Sequence, residues 1–121
     1  MVGSFRSGGL VGEIAIRLNP ALLDNPDADL RYRVPDVIQE ATSGQVRGDG
    51  YDYGDDNMMT IFLMSNNPER DVELVIQALG SQKICDNQLL DSAVIGTSND
   101  HQTYSIVYPT DSQGQTFTVR T

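Results

Sequence analysis

The residue pattern predicts an α+β fold: an antiparallel sheet of four to five strands with two helices on one face. Two stretches repeat apolar residues at three- and four-residue spacing, as helices do, and each ends on a glycine stop. The remaining ordered stretches alternate with period two or run continuously apolar, as strands do. The elements then follow one another as strand, helix, strand, strand, helix, strand, strand.

Residues 1–10 (MVGSFRSGGL) are rich in Gly and Ser and read as a flexible arm, leaving 11–121 as a single domain. From Gly12 to Leu18, Ile14, Ile16 and Leu18 face one way and Glu13, Ala15 and Arg17 the other; Asn19-Pro20 ends this strand. Asp24 to Asp27 mark a turn. Leu30, Val34, Val37, Ile38 and Ala41 line one helical face, and because proline suits the first helical position, the regular helix is expected to begin near Pro35 and to stop at Ser43-Gly44.

The stretch from Gln45 to Ser65 reads as a hairpin. A polar strand reaches Tyr53, a turn occupies Gly54–Asn57, and a second strand runs from Met58 to Met64, the most apolar run in the chain and so an expected central strand. Asn67 is a good N-cap and Pro68 a good first residue for the second helix, whose buried stripe is Val72, Val75, Ile76 and Leu79, with Gly80 at its end. Leu89 to Ile95 and Thr103 to Tyr108 read as a second hairpin around Gly96–His101, and Gln115 to Val119 alternates as an edge strand or a frayed tail. The first six elements are the β-α-β-β-α-β order of the ferredoxin-like sandwich.

Composition narrows the function. Seventeen acidic residues against eight basic ones give a net charge of −9, which opposes direct contact with nucleic acid or an anionic membrane and favours a basic protein partner. No stretch has the roughly 18 apolar residues of a membrane span, and the lone Cys85 fits a reducing compartment, so cytoplasmic residence is expected.

No catalytic, metal or cofactor constellation emerges. Asp49, Asp52, Asp55 and Asp56 are closely spaced, but the twelfth residue counted from Asp49 is Thr60 and from Asp52 is Leu63, where a calcium-binding EF-hand loop needs a glutamate. His101 is the only histidine and sits in a turn, and neither a nucleophile elbow nor a phosphate-binding glycine loop is present. The expected site is therefore a binding surface: Asp49, Tyr51, Asp52, Tyr53, Asp55 and Asp56 on the first hairpin, where period two puts the tyrosines on one strand face. An alternative is a dimeric small-ligand-binding or isomerase-like domain gripping an anion with Arg31 and Arg33.

In its size, its acidity and the strand–helix order around RVPDVIQEATSGQVRGDGYDYGDDNMMTIFLM, the chain loosely resembles bacterial immunity-type proteins. That resemblance implies a non-catalytic module that caps a cognate basic toxin, with the acidic hairpin as the contact.

Overall fold

The computed structural model describes residues 12–54 and 57–118. They contain strands β1 (Gly12–Leu18), β2 (Val46–Tyr53), β3 (Met59–Ser65), β4 (Val94–Ser98), β5 (Thr103–Tyr108) and β6 (Thr116–Thr118). Helix α1 (Leu30–Ala41) links β1 to β2, and α2 (Pro68–Ser81) links β3 to β4. All neighbours pair antiparallel in one sheet of order β2-β3-β1-β4-β5-β6. The fold class is α+β, but the sheet has six strands among the described residues rather than four to five. The run near Gln115 is ordered as β6 because Phe117 stacks on the buried Tyr104 of β5, with centroids 5.3 Å apart and planes 10° from parallel.

Strand β1 pairs with β3 on one side and β4 on the other. Its Ile14, Ile16 and Leu18 join Ile61 and Leu63 of β3, Leu30, Val34 and Ile38 of α1, and Val72, Val75 and Leu79 of α2 in one buried cluster. Both helices therefore pack on the same face. Each such side chain contributes about 1.5–3 kcal/mol on leaving water. The opposite face is not open at β1 either: Ala15 is fully buried and Glu13 nearly so.

Two boundaries differ from expectation. Helix α1 begins at Leu30, so Pro35 lies inside it. Starting there buries Leu30, Val34 and Ile38 at four-residue spacing, and that burial outweighs the hydrogen bond that proline cannot donate. The ring of Pro35 presses on β2 at Gly48, where an added Cβ would lie 2.8 Å from Pro35 Cβ, so a side chain at 48 would force the helix and strand apart. Leu89–Asp91 is a 3-10 turn, and β4 starts only at Val94. Its Leu89 is an anchor in the core cluster rather than a member of a ladder. The second helix runs to Ser81, one residue beyond Gly80, with Asn67 Oδ1 accepting from the Arg70 amide at 3.2 Å as its N-cap.

The start of α2 is tied to the sheet through Asp71, which is 1% exposed. Its carboxylate accepts from Ser65 Oγ of β3 at 2.6 Å, from Gln45 Nε2 at 3.0 Å and from Arg70 Nε at 2.9 Å. Burial alone would raise its pKa, but the donors at Arg70, Ser65 and Gln45 together carry it below the usual aspartate range. A carboxyl that holds its proton less tightly when folded stabilises the fold above its unfolded pKa and loses that contribution as pH falls. Asp71→Asn should therefore cost about 1.5–3 kcal/mol at pH 7. The gap from the parent should narrow as pH falls through 3.8 and below, measured by urea denaturation at a series of pH values.

Candidate functional site

Strand β2, an edge among the described residues, collects the residues that the sequence singles out, but it divides them between two faces. Its pairing with β3 sets Tyr51 opposite Ile61 and Tyr53 opposite Met59, on the helix-bearing face. Asp52 stands opposite Thr60, on the reverse face with Arg17. A bulge between Gly48 and Tyr51, with Gly50 at φ +106°, inserts the extra residue that sets this phase. Asp49 reaches the reverse face, where it hydrogen-bonds to Glu13. Asp55 and Asp56 lie outside the described residues.

Tyr51 and Tyr53 do share one face, as period two requires. That face carries α1, so the tyrosines belong to a patch shared between helix and strand. Tyr32 of α1 meets Tyr51 edge to face at 6.1 Å, and Tyr51 meets Tyr53 at 5.8 Å. Between them lies Arg31, its guanidinium carbon 4.7 Å from the Tyr32 ring centroid and 5.4 Å from that of Tyr51. Arg31 Nη1 donates to Tyr53 Oη at 3.5 Å, while its Nε is buried with no hydrogen-bond partner. Donation to the phenol oxygens of Tyr53 and then Tyr32 holds the guanidinium more firmly protonated than usual. The three tyrosines nevertheless stay 41–53% exposed, more than a ring that serves only to fill a core.

The structure thus unites the tyrosines with Arg31, which the sequence assigns to different readings. It separates Arg31 from Arg33: two positions along a helix turn the side chain to another side, and Arg33 lies near enough to Cys85 to lower its thiol pKa, against the larger upward push of burial. Arg31 lies on the tyrosine rings and Arg33 towards Cys85. Cys85 itself sits in the turn between Ile84 and Asn87, at φ +49° and partly buried.

A second constellation has no sequence signal at all, because its members are up to 91 residues apart. Glu13, on the reverse face of β1, accepts from Tyr104 Oη at 2.7 Å and lies 3.3 Å from His101 Nδ1. The turn histidine is exposed, yet its Nδ1 lies against a buried carboxyl. Its φ of +63° is shaped by the preceding loop, where Ser98 Oγ accepts from its amide at 3.0 Å. Asp100 accepts from the amides of Thr103 and Gln102, each at 2.9 Å, and from Ser98 Oγ at 2.8 Å. These donors bring its pKa down to about 2.

Burial pushes the Glu13 carboxyl up, and the hydrogen bond to Asp49 adds to this; Tyr104 and His101 only partly oppose it. The Tyr104 phenol is likewise raised, by burial and by its bond to Glu13. This arrangement can hold and share a proton, but among the described residues no group of three or more His, Cys, Asp or Glu side chains is arranged to hold a metal ion. A carboxyl with a raised folded pKa contributes most at low pH and loses that contribution as pH rises through the folded value. The stability of Glu13→Gln relative to the parent should therefore improve as pH rises from 4.5, the ordinary glutamate value, towards neutrality. Thermal unfolding of both proteins across that range measures it.

No helix among the described residues is long and apolar enough to cross a membrane. Compared with family models, with curated proteins and with solved structures, the chain matches none.

Proposed function

We propose that this chain is a protein-binding module whose contact surface is the β2 edge. The observation that carries the reading is the patch of Tyr32, Tyr51 and Tyr53 around Arg31: Tyr51 meets both other rings, Arg31 touches all three, and the rings stay half exposed. Tyrosine and arginine are the residues most often found at the energetic centres of protein interfaces, since they offer large rigid area with a polar tip. The rings are already braced by one another, so little side-chain freedom is lost on binding.

A partner straddling this edge meets tyrosines on one side and the carboxylates of Asp49 and Asp52 on the other. With the chain at −9, the partner that suits it is basic. In the immunity-type reading that partner is a basic toxin, neutralised by capping in the cytoplasm. The strand order β2-β3-β1-β4, with both helices on one face, supports treating the first four strands as a ferredoxin-like unit extended by β5 and β6.

The test is affinity capture with stoichiometry, repeated with variants. Tyr51→Ala should weaken the captured partner by about 2 kcal/mol or more, as truncation of an interface centre does. Leu74→Ala, at an exposed apolar residue of α2 outside the patch, should leave affinity unchanged. Association should slow as salt rises above about 0.15 M, where the Debye length falls below about 8 Å. A partner bound equally by the parent and Tyr51→Ala sinks the assignment of this surface.

A further inference from the structure

The row Leu18, Met59 and Tyr53 crosses three adjacent strands on the helix-bearing face. The segment from Pro20 to Leu30 folds over the end of this row without filling it. An open pocket of about 130 Å³ remains. Leu18, Leu30 and Met59 line it from the core, Leu23, Pro26 and Ala28 from the covering segment, and Tyr53 from β2. Among the described residues that line it, Tyr53 brings the hydroxyl; the others end in carbon or, at Met59, in a thioether. A volume of this order takes one apolar group about the size of a benzene ring or a branched aliphatic chain.

The polar side of this pocket has donors and lacks acceptors. Arg31, next in the chain to the lining Leu30, donates through Nη1 to Tyr53 Oη at 3.5 Å, a long bond. Its other neighbours are the rings of Tyr32 and Tyr51, and no carboxylate pairs with it among the described residues. A guanidinium carries five N–H groups, so most of its donors are left without a full-strength acceptor. The Tyr53 hydroxyl accepts from Arg31, and its own proton has no acceptor among the described residues. A positive charge and a phenol proton, both free to bind an anion, therefore stand together beside an apolar pocket.

We propose that this pocket binds a small aliphatic carboxylate, with its tail against Leu18, Leu30 and Met59 and its carboxylate on Arg31 and the Tyr53 hydroxyl. The planar guanidinium fork matches a carboxylate in a paired geometry and with a charge that a neutral amide lacks. A cationic ligand would meet Arg31 as a like charge, and a purely apolar one would leave both donors as they are. The tail supplies the burial, and the two donors set the orientation. This site goes beyond the protein-binding surface and does not rest on it. The ligand uses the pocket bounded by Tyr53, whereas a protein partner covers the exposed rings.

The probe is 4-methylpentanoate, titrated into the ¹⁵N-labelled full chain. Amide signals of Leu23, Ala28, Leu30, Tyr53 and Met59 should move together and saturate. The neutral 4-methylpentanamide, with the same tail, should bind about tenfold more weakly or worse. Acetate, which keeps the charge and lacks the tail, should also lose about tenfold or more. Arg31→Gln should remove the preference for the acid over the amide. Ala28→Phe, at an exposed position on the pocket wall, should weaken both tailed compounds alike. The unfolding temperature of each variant is measured beside the parent's to show that it is folded.

Equal affinity for the acid and the amide would overturn the proposal, and so would equal affinity for 4-methylpentanoate and acetate. Shifts that map away from the pocket, or no shifts at all, would do the same. If a variant fails to fold, the comparison of the three compounds on the parent chain decides alone. The protein-binding surface stands or falls by a different result, the loss of a captured partner in Tyr51→Ala. A pocket that ignores the carboxylate leaves that surface intact, and a partner indifferent to Tyr51 leaves the pocket intact.

Discussion

Burial of β1 on both faces is the constraint from which the rest of the structure follows. A strand paired on both edges and covered on both faces has most of its backbone groups in a ladder and nearly every side chain out of water. Its helix-bearing face takes Ile14, Ile16 and Leu18 into the main core. Its other face carries Ala15 and the near-buried Glu13, and the sheet has to supply a donor there or leave a carboxyl stranded. Tyr104 of β5 supplies it, and Phe117 of β6 stacks on Tyr104. Gly96 makes that layer feasible: a Cβ there would come within 3.1 Å of both the Phe117 ring and Tyr104 Cβ. The two added strands thus cover a surface that a four-strand sheet would leave wet.

At the opposite end of the sheet, β2 is an edge among the described residues. An edge strand with regular hydrogen-bonding groups invites indiscriminate pairing, and a bulge with acidic side chains discourages it. Here the bulge does a second thing. It turns Tyr51 and Tyr53 towards α1 while Asp49 and Asp52 face the reverse side. The close seat of Pro35 on Gly48 fixes how near the helix lies to the strand, and so brings Arg31 and Tyr32 onto the rings of the strand. A surface with aromatic area on one side and negative charge on the other results from one extra residue and one proline.

Two buried carboxyls show how environment decides the sign of a pKa shift. Asp71 and Glu13 both lose water. Asp71 meets a guanidinium, a hydroxyl and a side-chain amide, all donors, and is held as the anion. Glu13 meets a second carboxyl, and the Tyr104 donor with the nearby His101 does not compensate. The first is a clamp between helix and sheet that favours neutral pH. The second favours the protonated form and binds the loop at His101 to the central strand.

Local pattern alone determined the element types and most of their limits: β1 by alternation, α2 by its cap and stripe, and the apolar β3 as an interior strand. It also put Tyr51 and Tyr53 on a common face, since that depends only on the strand period. Where tertiary contacts compete with local preference, it could not decide. Pro35 looks like a helix start until burial of Leu30 and Val34 is counted, and LLDSAVI looks like a strand until Leu89 is needed in the core. Which face the tyrosines take depends on the bulge and on the packing of α1, and the contacts of Arg31 with the rings depend on both. Glu13, Tyr104 and His101 were illegible because hydrogen bonds across 91 residues of chain leave no mark in spacing or composition. The cavity by Tyr53 exists only because a folded segment stops short of filling it, a property of volume that no linear pattern contains.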